Sequence, residues 1–249
     1  MRNVWTIAKR EYRAYFSSLT AYLFAFLILA VIGCFFALII WETFDSFGQL
    51  PPPGVELVLY PLIFLLIFAC PAFTMRLLSE EQRLGTLELL MTAPVRDAEL
   101  VVGKWLGSFL FVATLVAVTF VYPVAMQLMT SPGIDQGPMI TGYLGILLIS
   151  ATFLAIGVAI SGLFSNQIAS YILTIAVIVF MWWVIGIFAQ AGEAGSSSAI
   201  LFKFLDMKSH YYDAMVTGVL PLSGVVYYLS ITAFSLLFGS VIVETRRWR

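Results

Sequence analysis

The stretch Arg76-Leu-Leu-Ser-Glu-Glu-Gln-Arg-Leu-Gly-Thr-Leu-Glu-Leu-Leu-Met-Thr-Ala-Pro-Val-Arg-Asp-Ala-Glu-Leu-Val-Val-Gly-Lys104 decides the fold. It gathers Arg76, Glu80, Glu81, Arg83, Glu88, Arg96, Asp97, Glu99 and Lys104 in a chain that is 61% hydrophobic and only 11% charged. On each side lies an uncharged apolar run of about 20 residues, the length that crosses the hydrocarbon core of a bilayer. The island is therefore an aqueous loop between two membrane spans. A soluble fold is excluded, since soluble domains are roughly half apolar and a quarter charged.

Within the island, Ser79 and Gln82 have capping-box spacing, or form the frayed end of the preceding span. Gly85 breaks that segment. Residues 86–93 form a short amphipathic helix, with Leu84, Leu87, Leu90 and Met91 spaced by three and four and Glu88 on the other side. Pro94 stops it, and Asp97 is placed to cap the next helix, with Glu99 in its first turn.

Six spans follow from the same criterion, at 22–41, 57–78, 100–128, 139–163, 168–188 and 222–243. Trp41 anchors the end of the first. Pro51-Pro52-Pro53-Gly54 keeps the next loop extended. Pro71 in the second span and Pro123 in the third remove backbone donors and predict bends. The third span is longer than a bilayer requires, so its Lys104 end is expected to protrude into water. The fourth carries Ala151, Ala155, Ala159, Gly157 and Ser161 at small-xxx-small spacing, which predicts close packing against the fifth across the short Phe164–Gln167 turn. Residues 190–221 mix apolar residues with Lys203, Asp206, Lys208, His210 and Asp213, and are expected to form short helices at the membrane surface.

Residues 2–20 precede the first span. At 100° per residue Trp5, Ala8, Tyr12, Phe16 and Leu19 fall on one side, and Lys9, Arg10, Arg13 and Ser17 on another. This pattern fits an amphipathic helix in the headgroup layer, with a solvated basic leader as the alternative. The segment has no signal-peptide core or cleavage site, so the first span is expected to be retained. With the N-terminus inside, Arg2, Lys9, Arg10, Arg13, Arg76, Arg83, Arg96, Lys104, Arg246, Arg247 and Arg249 all lie in the cytoplasm. Only Lys203 and Lys208 lie outside, and the carboxylates divide evenly. This bias orients the chain with both termini cytoplasmic.

Several chemistries find no residues. Gly103-Lys104 lacks the upstream glycine of a phosphate loop, and Trp105 stands where Ser or Thr is needed. No charged residue or histidine falls in a span core, which argues against an ion-coupled carrier. His210 is the only histidine, too few for a multi-histidine metal site. Cys34 and Cys70 lie in apolar runs as small hydrophobes. No catalytic set, cofactor site or metal site is expected, and a net charge of −1 gives nucleic acid no electrostatic foothold.

The segment Ala8-Lys-Arg-Glu-Tyr-Arg-Ala-Tyr-Phe-Ser-Ser with Ala21-Tyr22, the block Glu81-x-Arg83-x-Gly85-Thr86-Leu87-Glu88-Leu89-Leu90-x-Thr92-Ala93-Pro94-Val95, and Gly103-Lys104 resemble ABC-2-type ABC transporter permeases. Within these, they are most similar to gliding-motility and nitrous-oxide-reductase-maturation permeases. The resemblance implies an all-α membrane protein: six transmembrane helices, an N-terminal interfacial helix and a short cytoplasmic coupling helix over 85–94. It implies that Arg83, Gly85, Thr86, Leu87, Glu88, Leu89, Leu90, Met91 and Pro94 meet a separate ATPase subunit, and that Trp5, Lys9, Arg10, Tyr12, Arg13 and Phe16 belong to the interfacial (elbow) helix. It further implies two ATPase copies, a second permease chain of the same or another sequence, surrounding lipid, and residence in the cytoplasmic membrane. The competing reading is a membrane scaffold that anchors a soluble complex without transport.

Overall fold

The computed structural model describes residues 2–45, 54–85, 96–130, 133–191 and 196–247. These residues form helices and no strand. In order they are α1 (Arg2–Phe16), α2 (Leu19–Asp45), α3 (Glu56–Thr74), α4 (Ser79–Arg83), α5 (Asp97–Thr119), α6 (Val121–Met129), α7 (Gln136–Ser161) and α8 (Gln167–Val179). A π-helical turn (Phe180–Val184) leads into α9 (Ile185–Ala191), and α10 (Ser197–Leu205), α11 (Met207–His210), a second π turn (Tyr211–Met215) and α12 (Leu222–Arg247) complete the chain. Six helical stretches are long and apolar enough to cross a membrane: Leu19–Thr43, Glu56–Arg83, Asp97–Met129, Gln136–Ser161, Gln167–Gln190 and Leu222–Thr245.

The fourth span is the axis of the bundle. Its most apolar window is 83% buried within the chain, against 11% for the first span, which lies at the periphery. Its small residues make that position possible, because lipid offers no hydrophobic drive for association and close backbone approach must come from missing side-chain bulk. A Cβ on Gly142 would lie 2.4 Å from Leu59 and one on Gly157 2.0 Å from Thr74, both on α3. A Cβ on Gly239 of α12 would lie 3.3 Å from Ala159. These close approaches of the fourth span go to the second and sixth spans, partners beyond the fifth span for which its small residues were read.

Side-chain caps set several boundaries. The Asp135 carboxylate accepts Gly137 N–H at 3.0 Å ahead of α7, and Asn166 Oδ1 accepts Ile168 N–H at 2.9 Å ahead of α8. The third span breaks at Phe120, between α5 and α6, with Pro123 in the first turn of α6, where a proline needs no donor. Pro71 does not interrupt α3: the helix continues to Thr74, and Met75 N–H still donates to Pro71 O at 2.8 Å. At the Arg76–Lys104 island one of two open readings holds and one expected cap is replaced. Ser79 caps nothing and donates back to Met75 O, while Gln82 Nε2 reaches Gly162 O at 2.7 Å, so the pair is the continuation of the second span rather than a capping box. Arg96, not Asp97, is the N-cap of α5, and the Glu99 carboxylate three residues on accepts its N–H at 3.3 Å.

Candidate coupling site

The described ends of the charged island, α4 and the start of α5, meet α1 at one pole of the bundle. α1 presents Ile7, Ala8, Glu11 and Tyr15 to its neighbours, a stripe at spacings of one, three and four that borders the aromatic side read from the sequence and shares Ala8 with it. Ala8 and Tyr15 are buried, whereas Trp5 is 58% and Phe16 40% exposed. Lys9, Arg10 and Arg13 are also exposed. Tyr12 lies between, with its hydroxyl 3.1 Å from Thr114 Oγ1 and its ring against Phe16. Trp5, Lys9, Tyr12 and Arg13 thus line an open groove beside α5.

Two glycines let α1 lie directly on α5. A Cβ at Gly103 would be 2.8 Å from Ile7 Cβ, and one at Gly107 would be 2.7 Å from Glu11 Cβ and 2.9 Å from Ala8 O. The four-residue spacing puts both on one face of α5, and neither can carry a side chain without moving α1.

Between these glycines stands Lys104. It was expected to reach water, yet it is 2% exposed. Close packing of α1 over Gly103 and Gly107 covers its stem, and its ammonium turns inward to two carboxylates. Nζ lies 2.7 Å from Glu81 Oε1 on α4 and 3.2 Å from Glu11 Oε1 on α1. A charge this deep is tolerated only when paired. One lysine on α5 thereby joins the N-terminal helix to the end of the second span.

Further ties surround it. Asn3 Nδ2 donates to Glu99 Oε2 at 3.0 Å, linking the start of α1 to the start of α5. Arg76 donates to Ser18 Oγ at 2.9 Å and Thr20 Oγ1 at 3.3 Å, and its guanidinium lies 5.9 Å from the centre of the Tyr15 ring. Tyr15 stacks on Phe111 at 4.8 Å and donates its hydroxyl to Phe73 O at 2.8 Å. A cavity of about 510 Å³ opens over this cluster, bounded by Glu11, Arg76, Glu80, Glu81, Leu84 and Lys104.

From this brace the chain leaves for the predicted coupling segment. Arg83 and Leu84 are exposed at the end of α4, and Gly85 follows with φ +68°, the left-handed position that terminates helices and favours glycine. Thr86, Leu87, Glu88, Leu89, Leu90, Met91 and Pro94 lie outside the described residues. Of the predicted coupling residues, the structure thus places Arg83 and Gly85, at the end of the α4 helix that carries Glu81. Glu11, Glu81, Lys104, Gly103 and Gly107 were missed as a unit. Gly103-x-x-x-Gly107 was the one local signal that another helix would press on this end of α5.

Among the described residues no group of His, Cys, Asp and Glu side chains suits a metal ion. The arrangement can pass force between helices; it offers no set for bond-making chemistry. No curated protein matches the chain. A family model described as ABC-2 family transporter protein matches residues 49–217, more than half of the sequence and most of its spans, and the chain belongs to that family.

Proposed function

We propose that this chain is the permease subunit of an ATP-binding cassette transporter in which residues 85–94 receive the motion of the ATPase and the Lys104 cluster passes it to the bundle. The family supports the coarser statement, a multi-pass transport component that works with an ABC ATPase and carries no ATPase of its own. One observation carries the finer one. The buried lysine bridges Glu11 and Glu81 three helical elements apart, beside the point where the chain departs for the coupling segment. A push on that segment would reach α4 first, then α5 through Lys104 and α1 through Glu11. Packed elements joined by a desolvated ion cluster move as a body, which suits a lever.

In this reading two ATPase copies serve a pair of permease chains, the termini face the cytoplasm, and the membrane is the cytoplasmic one. The motifs at Ala8–Ser18 and Glu81–Val95 favour the gliding-motility and nitrous-oxide-reductase-maturation group within the family. Purification of the tagged permease from its native membrane, with identification of what accompanies it, tests the assignment. A stoichiometric nucleotide-binding subunit is expected. A soluble complex without one would favour the scaffold reading and overturn this proposal.

A further inference from the structure

At the opposite pole a second cavity, of about 540 Å³, opens between the end of the fifth span and the α10–α11 segment. Its walls include Trp182, Trp183, Gly186, Tyr212, two lysines (Lys203, Lys208) and two aspartates (Asp206, Asp213). Three observations set it apart. Lys203 and Lys208 are the two cations that the chain places on this side, where the distribution of Lys and Arg makes cations rare, and both line this one cavity. Among the described residues neither lies within ion-pairing distance of a carboxylate. The cavity thus holds two charges of each sign that do not neutralise one another by contact. Finally, its aromatic residues come from the two π turns, Trp182 and Trp183 from Phe180–Val184 and Tyr212 from Tyr211–Met215. Such turns are rare and concentrate at functional sites.

The geometry of the aspartate is specific. Asp206 Oδ1 accepts Lys208 N–H at 3.1 Å, capping α11. Its other oxygen faces the Gly186 backbone, 3.2 Å from where a Cβ there would stand. Burial raises its pKa above the ordinary carboxylate value, so an incoming cation would relieve a partly desolvated charge. Trp182 is buried and packs edge-on to Tyr212 at 6.0 Å, and Lys208 lies 5.5 Å from the centre of the Tyr212 ring. Tryptophans at the end of a span mark the level where acyl chains give way to headgroups.

We infer that this cavity binds a zwitterionic headgroup at the outer membrane surface, its phosphate held by Lys203 and Lys208 and its primary ammonium by Asp206 and Asp213. An anionic ligand would leave the aspartates opposed, and a cationic one the lysines; a ligand of both signs satisfies each. The same chemistry could come from a phospholipid or from a soluble phosphoethanolamine, and lipid is favoured by the apolar wall of Trp182, Trp183 and Ile187. The site is independent of the ATPase, so its test and that of the coupling site can fail separately.

The test uses the full chain in detergent, with binding followed by native mass spectrometry. Probes are dioleoyl-phosphatidylethanolamine, phosphatidylglycerol with the same chains, and O-phosphoethanolamine. Phosphatidylethanolamine should bind about tenfold tighter than phosphatidylglycerol. Lys203→Ala/Lys208→Ala should weaken both lipids, whereas Asp206→Asn/Asp213→Asn should erase the preference and leave phosphatidylglycerol bound. Asp213→Asn alone, on an exposed side chain, guards against misfolding and should reduce the preference several-fold. Competition by O-phosphoethanolamine at equal concentration would support the headgroup chemistry and assign a soluble source. Equal binding of the two lipids by the unaltered chain, or an unchanged preference in both aspartate variants, would overturn the inference.

Discussion

Lys104→Met keeps the bulk of the side chain and removes the ammonium that bridges Glu11 and Glu81. Breaking a fully buried ion pair from one side costs roughly 3–5 kcal/mol, because the orphaned charge stays desolvated. Here two carboxylates would be left, but their side chains keep 15% and 17% exposure, and Arg10 remains 3.3 Å from Glu11. The cost should therefore fall to or below the lower limit of that range, about 2–3 kcal/mol. At about 2–4 °C per kcal/mol for a chain of this size, the midpoint of thermal unfolding in mild detergent should drop by roughly 4–12 °C. Lys104→Met combined with Glu11→Gln and Glu81→Gln should recover much of that loss, since a neutral cluster carries no stranded charge. A midpoint for Lys104→Met unchanged to within about 1 °C, or a triple variant less stable than the single one, would refute the buried bridge.

Three further outcomes are expected. Gly107→Ala should displace α1, because its Cβ would stand 2.7 Å from Glu11 Cβ; cysteine cross-linking between α1 and α5 should fall, while Gly33→Ala, which meets only the Tyr122 hydroxyl, should not affect it. Asp206→Ala should lose its cap, at about 1 kcal/mol, whereas Asp206→Asn retains an acceptor and removes a charge. Because burial raises the Asp206 pKa, the folded chain binds this proton more tightly than the unfolded chain. The ionised group therefore costs stability as pH rises above its ordinary 3.8, and the advantage of Asp206→Asn should grow from acid to neutral pH in thermal unfolding. In a background of Cys34→Ser and Cys70→Ala, Ser165→Cys and Ser198→Cys should react with an impermeant thiol reagent from opposite faces; reaction from one face would overturn the topology.

The membrane fold was legible because the bilayer imposes a length and a solvent on every span, so apolar runs bounded by Trp41, the Arg76–Lys104 island and Glu244 mark the helices without tertiary knowledge. The site was legible only where the signal was local. Gly85 announces a helix end by the conformation glycine permits, and its φ is positive. Glu11, Glu81 and Lys104 are separated by dozens of residues, and hydropathy reads Lys104 as a span's wet end because it cannot know that α1 will cover it. The face by which α1 packs on α5 was hidden for a related reason. Trp5, Phe16 and the cations Lys9, Arg10 and Arg13 share its exposed surface, while the packed face mixes Ile7, Ala8 and Glu11 with a single aromatic, Tyr15, and so carries no pattern of its own. The two π turns left no trace in the apolar periodicity, since each is five residues long and changes register within a single turn.

The most direct test of the coupling site is ATP hydrolysis by the partner ATPase, reconstituted with the permease in lipid vesicles. Leu87→Asp would put a charge on the apolar face that the sequence predicts for residues 86–93, and should abolish both association and permease-stimulated hydrolysis while leaving the fold of the spans intact. Wild-type association and wild-type stimulation with Leu87→Asp would contradict the account, because the segment leaving the Lys104 brace would then not be the lever.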